Sequence, residues 1–452
     1  MTDTFTVRSE YKRKAVHIGC SAFALLLRWL NFWQGALCAV AAFLFNWQVL
    51  PRIGGKNLYR ADDQKRGYPI GILLYPVSVL ILILLFPDRL HVAAAAWAIM
   101  AWGDGFASVF GKPFGARKIP WNPNRSYAGS FAFLVLGGLG AVLFTRFVWP
   151  DAPQPQLWNV IAIPLLATFL AAVIETIPCG VNDNLSVPLS AGFFMVALYQ
   201  IDLNSIHTKE SVLMNQMYWG AAINLAFGAT AFAMKMVSLS GFLSGLIVGT
   251  ILYTFGGYPL YLILITFFVL GSGATKFGYA RKKALGVAQE KGGARGWKNA
   301  VANCSMGAFL AILAALVPEH RSLLFVAGFF GAFATAASDT VSSEIGQVLG
   351  KHPILITTLR PVPVGTEGAI SLEGTFAGIL ASIVLCGIGI ALQVLPPAAA
   401  LICVVAAFIG TTVESYLGAT LEQMKIIDNE IINFMNTLVG AAAAMILTAL
   451  FL

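Results

Sequence analysis

Two segments of this chain carry the same polar residues at the same spacing. Asp104 begins the first and Asp339, 235 residues further on, begins the second. In both, a serine follows the aspartate by four residues and glycines follow it by seven and eleven: Ser108, Gly111 and Gly115, then Ser343, Gly346 and Gly350. A carboxylate beside glycines, which let backbone N–H groups approach a ligand closely, suits the binding of a metal ion or a polyphosphate. The repetition therefore predicts two related polar sites.

The correspondence continues downstream of both aspartates. AGSFA, which contains Gly129, matches EGTFA at residues 373–377. A glutamate inside an apolar run follows in each copy, Glu175 and then Glu414, at 71 and 75 residues from the aspartate. Carboxylates at membrane depth are costly, so both are candidate functional residues. An Asp-Asn pair comes next in each copy, Asp183-Asn184 and Asp428-Asn429.

The loop after Asp104 is basic and contains no acid. It holds Lys112, Arg117, Lys118 and Arg125, and it ends in the stiff polar turn PWNPNRS. Such a loop suits a polyphosphate, although a loop that only sets membrane orientation would also be basic. The matching loop of the second copy is ten residues longer and offers Lys351, His352, Arg360, Thr366 and Gly368.

A second basic segment lies upstream of Asp339. It contains Lys276, Arg281, Lys282, Lys283, Lys291, Arg295 and Lys298. Two anionic groups could be held there, or these residues, in particular Lys291 through Lys298, could form a solvated surface. His17 lies in a further basic segment, KRKAVHIG, where a histidine at a helix end is often only a capping or interfacial residue.

Composition places these sites in a membrane protein. Apolar residues make up 58% of the chain, charged residues 11%, and the mean hydropathy is +0.77. We expect an all-α polytopic protein with about 15 transmembrane helices, in two parallel repeats of seven joined by one extra helix. The apolar runs lie near 15–31, 32–51, 69–87, 90–110, 128–148, 157–175, 184–200, 213–236, 238–255, 257–275, 299–317, 322–345, 369–394, 397–416 and 430–451. The expected domains are 1–205 and 241–452, with a linker helix in 206–240.

The distribution of basic residues predicts the orientation. Alternating crossings leave 24 of the 29 Lys and Arg on the side of the N-terminus. By the positive-inside rule that side is cytoplasmic, with both aspartate-bearing loops, and the C-terminus lies opposite. The charged N-terminal segment has no cleavage pattern of a signal peptide.

Several function classes lack support in the sequence. The net charge of +8 reports on orientation and anionic ligands, and no nucleic-acid-binding motif is present. The sequence also lacks the P-loop, HExxH, GxSxG and protein-kinase motifs. The cysteines are scattered, have no CxxC spacing and are expected to be packing residues: Cys20, Cys38, Cys179, Cys304, Cys386 and Cys403.

Three segments of the first half together resemble a known family. WGDGFASVFGKPFGARKIPWNPNRSYAGS, KRKAVHIG and IETIPCGVNDNLSVPL resemble elements of phytol kinase and its relatives among the CTP-dependent polyprenol kinases, including dolichol kinase. The resemblance spans roughly residues 10–200. Arg125 stands where the family usually has Lys, and Asn182 where phytol kinases often have Asp. Neither difference removes charge from the basic loop.

The second half resembles a different group. GSGATKFGYARKKALG, AVANCSMGA, ASDTVSSEIGQVLGK, RPVPVGTEGAISLEGT, VESYLGATLEQ and NFMNTLVGA are similar to an integral membrane family long labelled a domain of unknown function, which includes plant phytyl-phosphate kinase. Glu367 stands where that family usually has Asn. The two resemblances imply consecutive kinases on one chain, the first converting a membrane-embedded prenol to its monophosphate and the second converting the monophosphate to the diphosphate. They imply CTP as the phosphoryl donor and Mg²⁺ or another divalent cation as cofactor.

The resemblances and the repeats together give the candidate site residues. The catalytic candidates are Asp104, Asp183, Glu175 and His17 in the first half and Asp339, Glu344 and Glu414 in the second, with Asp104, Asp183 and Asp339 as metal ligands. The nucleotide or phosphate candidates of the first half are Gly111, Gly115, Lys118, Asn122, Arg125, Ser126, Gly129 and Asn184. Those of the second half are Lys276, Lys282, Asn303, Ser343, Gly346, Arg360, Gly365, Thr366, Gly368 and Asn433. The sequence leaves open which carboxylate would accept the hydroxyl proton.

Two other functions share some of these features. Transfer of a cytidylyl group to a lipid phosphate would use the same nucleotide and leave a CDP-lipid. A secondary transporter would also combine parallel repeats with intramembrane acids, but its acids would lie at the bilayer midplane. Asp104 and Asp339 lie within a few residues of basic loops, which favours an enzyme at the membrane surface.

Overall fold

The computed structural model describes residues 2–53, 59, 63, 68–120, 122–150, 155–177, 181–289, 293–423 and 428–452, with side chains from residue 11 onward. Cys179 and Lys291 lie outside the described residues. Within these ranges the protein is nearly all-α, and nine helices are long and apolar enough to cross a membrane. Many large apolar side chains on them are exposed, for example Trp29, Leu157 and Phe451, as expected of surfaces that face lipid. The chain is an integral membrane protein.

The chain forms two compact units, Met1–Tyr199 and Gln200–Leu452. The helix that the sequence suggested as a linker belongs to the second unit. The helices of unit 1 are α1 (Thr2–Gly19, continued to Arg28 as a 3₁₀ helix), α2 (Phe32–Leu44), α3 (Ile70–Leu85), α4 (Leu90–Phe114), α5 (Tyr127–Val148), α6 (Trp158–Thr176) and α7 (Asp183–Leu198). The helices of unit 2 are α8 (Leu203–Ala233), α9 (Leu239–Lys276), α10 (Tyr279–Ala284), α11 (Trp297–Leu316), α12 (Glu319–Leu349), α13 (Leu372–Ala391), α14 (Pro397–Leu417) and α15 (Asn429–Phe451).

Two short antiparallel hairpins interrupt the helices, one in each unit. β1 (Lys118–Ile119) pairs with β2 (Asn122–Ser126), and β3 (Ile354–Leu355) pairs with β4 (Ala369–Ile370). Each hairpin lies between the aspartate-bearing helix and the next helix, so it closes the loop that the sequence predicted to bind phosphate. The longer loop of the second copy lies between β3 and β4.

Two irregularities in the helices have identifiable causes. The stretch Ile99–Asp104 of α4 is a π-helical turn, and it ends at the candidate aspartate. π-turns inside α-helices occur often at functional sites, and the described residues contain four more, at Phe45–Val49, Phe133–Gly137, Trp158–Ala162 and Gly418–Glu422. In α9, Gly257 has φ +61°, a conformation that favours glycine, and Pro259 follows it. The break at Gly257 divides α9 into two helices, at the boundary between the segments expected at 238–255 and 257–275.

A serine and three glycines form the same packed element in both units. Ser126 caps α5 by accepting a hydrogen bond from Gly129 N at 3.2 Å, and Ser371 caps α13 by accepting one from Gly374 N at 3.2 Å. The aspartate-bearing helix packs its own glycines against this cap. A Cβ on Gly111 would lie 3.3 Å from Gly129 Cα, and one on Gly346 would lie 3.6 Å from Gly374 Cα.

The final glycine of the repeated motif lies beside the same serine. A Cβ on Gly115 would overlap the carbonyl oxygen of Gly111, and one on Gly350 would overlap that of Gly346. The repeated glycines thus permit a close crossing of two helices just behind each aspartate. They pack backbone against backbone in both units.

Candidate functional site

The first cluster of charged side chains is built around Asp104. Lys14 Nζ donates a hydrogen bond to Asp104 Oδ2 at 2.6 Å, and His17 Nε2 lies 3.7 Å from the same oxygen. Lys14 and Asp104 are both at least 95% buried. Since α1 supplies the lysine and histidine and the π-turn of α4 supplies the aspartate, the packing of α1 on α4 creates the cluster.

Arg125 joins two further carboxylates in the same unit. Its Nη1 lies 2.9 Å from Glu175 Oε1, and its Nη2 donates to Asp183 Oδ2 at 2.5 Å. Burial alone would lower the pKa of Arg125, but the Asp183 and Glu175 carboxylates raise it above its ordinary value. The guanidinium is therefore a fixed positive charge between α6 and α7, and Asp104 is close enough to interact with it electrostatically.

Hydrogen bonds to the backbone hold the parts of this first cluster in place. Asn122 Nδ2 donates to Thr176 O at 3.1 Å, which ties the hairpin to the end of α6. Asn184 Nδ2 donates to Gly71 O at 2.7 Å, which ties the start of α7 to α3. The two asparagines were predicted to contact nucleotide, and in this structure they connect elements of the site. Lys118 is exposed on β1, outside these contacts.

The second unit contains a cluster of four carboxylates around Asp339. The hydroxyl of Ser343, one helical turn further along α12, donates to Asp339. Glu367 and Glu422 lie close enough to Asp339 for electrostatic interaction, and so does Glu414. The hairpin loop is tied to the same region, because Gln423 Nε2 donates to Glu367 O at 3.0 Å.

The four acids differ from the first cluster because no basic side chain among the described residues pairs with them. The residue before the capping serine is Arg125 in unit 1, whereas in unit 2 it is Ile370. The glutamate that corresponds to Glu175 is Glu414, and its charged neighbours among the described residues are acids. Glu422 Oε2 is buried and has no hydrogen-bond partner there. Such a cluster requires a bound cation or protonation to be stable.

Glu344 belongs to a different polar cluster. It forms a buried ion pair with Lys282 and accepts a hydrogen bond from Thr275 Oγ1 at 3.1 Å. Lys282 also donates to the carbonyl oxygens of Ala274 and Thr275. Five residues separate Asp339 from Glu344, so on a helix their side chains point about 140° apart. The structure therefore places the two predicted acids of the second site on different faces of α12.

The remaining predicted residues of unit 2 are spread over its loops and helix ends. Lys276 and Arg360 are exposed, and the Thr366 hydroxyl donates to Pro363 O. Gly365 and Gly368 have φ of +86° and +73°, which explains glycine at both positions of this turn. Asn303 and Asn433 make local contacts, with Asn299 O and Asn429 Oδ1 respectively. Asn433 lies at the start of α15.

Sequence reasoning missed two side chains that the structure brings to these clusters. Lys14 is three residues before His17 in KRKAVHIG, so helical spacing could have placed both on one face of α1. Glu422 lies in VESYLGATLEQ, eight residues after Glu414, which is again a helical spacing. The charge pattern within each motif did not indicate which acidic or basic side chain Lys14 or Glu422 would contact.

The two clusters differ in how well their carboxylates could bind a metal ion. Across the ranges described, no three His, Cys, Asp or Glu side chains already converge as metal ligands. Mg²⁺ usually binds through only one or two carboxylates together with substrate phosphates, so a Mg²⁺ site does not require three converging side chains. In unit 2 the unpartnered Glu422 Oε2 and the acids around it fit a divalent cation. In unit 1, Asp104 and Asp183 already have Lys14 and Arg125 as partners.

Comparison with known proteins identifies the second half of the chain. Residues 222–441 match the family described as integral membrane protein DUF92. An uncharacterized membrane protein of Synechocystis is 37% identical over 222 residues, which cover 49% of this chain and 86% of that protein. The chain belongs to the DUF92 family. All four acids around Asp339 lie within the matched residues.

Two plant proteins are also similar to this DUF92 member. Protein VTE6, chloroplastic, of Arabidopsis thaliana is 39% identical over 217 residues, which cover 47% of this chain and 65% of that protein. A probable phytol kinase, chloroplastic, of Triticum aestivum is 33% identical over 205 residues, covering 42% of this chain and 68% of that protein. No solved structure matches the chain.

The geometry predicts that Arg125 stabilises unit 1 through two carboxylates at once. Replacing Arg125 by Leu should lower the free energy of unfolding by about 1–3 kcal/mol, because Glu175 and Asp183 would remain without their partner. Thermal unfolding of the detergent-solubilised protein measures this. Adding Glu175→Gln to the leucine variant should recover part of the loss. Equal stability of wild type and Arg125→Leu would show that these two ion pairs contribute nothing to the free energy of unfolding.

Proposed function

We propose that this protein is a membrane prenol kinase that acts twice. Unit 1 would phosphorylate a long isoprenoid alcohol such as phytol, and unit 2 would phosphorylate the resulting monophosphate. The observation that carries the proposal is the shared Ser-capped, glycine-packed element, which presents a buried aspartate beside a second carboxylate in each unit. Relatives named phytol kinase, and the resemblance of the second half to the family that includes plant phytyl-phosphate kinase, support this assignment.

Each phosphoryl transfer requires only a few protein side chains. In the first step the oxygen of the prenol hydroxyl would bond to the γ-phosphorus of the nucleoside triphosphate, and the bond from that phosphorus to the bridging oxygen would break. The hydroxyl proton would pass to a carboxylate, and the nucleoside diphosphate would leave. In the second step an oxygen of the prenyl monophosphate would attack in the same way. Positioning and neutralisation of the phosphate charge contribute most to such transfers.

Unit 1 has both buried and exposed basic side chains that could neutralise phosphate charge. Lys14 and Arg125 are built into the acid cluster, while Lys118 is exposed on the hairpin where an aqueous nucleotide could reach it. Asp104 and Glu175 are the carboxylates that would meet a prenol hydroxyl arriving from the bilayer. CTP is the donor that the resemblance to the polyprenol kinases favours.

Unit 2 would rely more on a divalent cation. Asp339, Glu414 and Glu422 would hold it, and when bound it would supply positive charge to the nucleotide phosphates. Arg360 and Thr366, on the loop between β3 and β4, would approach those phosphates from the aqueous side. Glu367 is the third residue of the turn from Gly365 to Gly368 and interacts electrostatically with Asp339. Its carboxylate would therefore also be attracted to the cation.

We also propose the membrane arrangement that the sequence predicts. About 15 crossings in two parallel repeats would place the N-terminus and both aspartate-bearing loops in the cytoplasm and the C-terminus on the opposite side. This arrangement lets the nucleotide arrive from water while the isoprenoid remains in the bilayer.

The two steps should be separable by single substitutions. Asp104→Asn should reduce monophosphate formation from prenol by at least about 100-fold, because the charged carboxylate beside Lys14 and His17 is lost, yet added monophosphate should still become diphosphate. Asp339→Asn should do the reverse and accumulate monophosphate. Mass spectrometry of lipid products formed by membranes with CTP and Mg²⁺ measures both steps and would also detect a CDP-lipid.

A matched control is available for these two variants. Asp202 caps α8 through the backbone N–H of Asn204, and asparagine caps helices equally well. Asp202→Asn should therefore leave both steps unchanged. If Asp104→Asn or Asp339→Asn abolished both steps in a folded protein, the two units would share one site and the two-kinase proposal would be wrong.

The difference between Arg125 and Ile370 gives a test for the cation. Ile370→Arg should place a fixed positive charge beside Glu414, as Arg125 is placed beside Glu175. The Mg²⁺ concentration for half-maximal conversion of monophosphate should then rise by about tenfold or more, since a charge-assisted contact contributes about 1.5–3 kcal/mol. Mg²⁺ titrations of both steps measure this. Ile370→Leu and the first step serve as controls, and an unchanged titration of the second step would contradict the cation assignment.

The orientation can be tested by chemical labelling. Single cysteines introduced beside Lys112 and beside Lys351, in a variant without the native cysteines, should react with a membrane-impermeant maleimide from the cytoplasmic side only. Inside-out and right-side-out vesicles provide the comparison. Labelling of the two positions from opposite sides would overturn the parallel arrangement.

A further inference from the structure

A cavity of about 100 Å³ lies within unit 2, between α8, α9 and α11. Its walls are mostly apolar and include four aromatic rings, Phe227, Phe242, Phe267 and Phe268. None of the sites described above accounts for it. Because the cavity lies where α8 ends, α9 begins and α11 begins, it is at one edge of the apolar segments.

Arg295 supplies the positive charge of this cavity. Its backbone is held on both sides, since Arg295 N donates to Met236 O and Ser238 N donates to Arg295 O, each at 3.0 Å. Its guanidinium lies over the Phe267 ring, 5.5 Å from the ring centre. A Cβ on Gly271 would overlap the guanidinium, so glycine at that position makes room for it. The arginine is therefore built into the cavity wall.

The charge of Arg295 has no direct acidic partner in the part of the chain that the structure describes. Glu344 is close enough for electrostatic interaction, but its carboxylate is engaged by Lys282 and Thr275. Burial lowers the pKa of Arg295 below its ordinary value, which reflects an unfavourable position for a charge. An anionic ligand would relieve that cost.

Asn224 and Cys304 are buried and also line the cavity, and the amide of Asn224 needs no ligand. Asn224 Nδ2 donates to Gly245 O at 2.9 Å and to Leu246 O at 2.8 Å, and its Oδ1 accepts from Tyr261 at 3.2 Å. These bonds fix α8 against α9 and satisfy the amide. A molecule entering the cavity would therefore meet mostly apolar walls, the side chains of Asn299 and Cys304, and one cation, which together complement an amphipathic anion.

We propose that Arg295 binds the phosphate of the prenyl monophosphate and that the cavity holds the part of the isoprenoid next to it. The inference rests on the proposed second kinase step and names the residue that selects its acceptor. A nucleotide would not suit apolar walls. A cavity of about 150 Å³ holds a benzene ring, so this smaller one holds only the first part of the chain. Leu243 and Ile247, exposed on α9, would carry the rest along the bilayer.

Substitution of Arg295 separates acceptor binding from nucleotide binding. Arg295→Gln should raise the KM for prenyl monophosphate by about 10-fold to 100-fold, because a charge-assisted phosphate contact is lost, and should leave the KM for nucleotide unchanged. Arg295→Lys should give an intermediate KM. An equal rise of both KM values, with a folded protein, would assign Arg295 to structure or nucleotide and overturn the inference.

The cavity itself can be filled without touching Arg295. Gly245 lines the cavity, and a Cβ there would meet no atom within 4 Å, so Gly245→Leu is chosen to fill part of the cavity. Gly387 on α13 is exposed and equally open, which makes Gly387→Leu a matched control. We expect the KM for monophosphate to rise at least about fivefold in the first variant only, by loss of apolar contact with the acceptor. Equal KM values in both variants, with similar melting temperatures, would contradict the inference.

A photoreactive prenyl monophosphate tests binding without turnover. In the absence of nucleotide it should label α8 or α9 in the wild-type protein, and Arg295→Gln should reduce the labelling. Unlabelled prenyl monophosphate should compete, whereas prenol and phosphatidic acid should not. Equal competition by phosphatidic acid would make this a general lipid site and refute the inference. Specific labelling in a protein that forms no diphosphate would instead refute the proposed kinase step.

Discussion

The neutralisation of buried carboxylates is the constraint on which the rest of this structure depends. An ionised acid between apolar helices is stable only with a counter-charge or hydrogen bonds, because water is excluded there. Unit 1 meets the constraint within the protein: Lys14 pairs with Asp104, and Arg125 pairs with Glu175 and Asp183. Both cations must be brought from other segments, so the positions of α1 and the hairpin are coupled to that of the acids.

Unit 2 meets the same constraint differently. It shares the capping serine and the packed glycines of unit 1, yet Ile370 stands where unit 1 has Arg125. In the proposed function, a divalent cation bound with nucleotide would neutralise the acids around Asp339. One substitution within a common element thus separates a site with its own basic partner from a site that has an apolar residue at the equivalent position.

The two faces of α12 carry different charged groups of the proposed second site. Asp339 faces the acids of α14 and the hairpin loop, whereas Glu344 faces Lys282 and, more distantly, Arg295. An acceptor held by Arg295 in its apolar cavity would come from the bilayer side, and the nucleotide would come from the hairpin side. A phosphorylated acceptor needs this extra cation, whereas a prenol does not.

The sequence alone determined the membrane character of the chain, its nearly all-α structure, and the repeated Asp, Ser and Gly positions. These features are local, because hydropathy and short spacings act within one helix or one turn. Which charges meet was decided only by tertiary structure. Lys14 and Asp104 are 90 residues apart, and the separation of Glu344 from Asp339 depends on how α12 is rotated against its neighbours. Helix packing sets that rotation, and side chains distant in sequence determine the packing, so no motif within either segment encodes it.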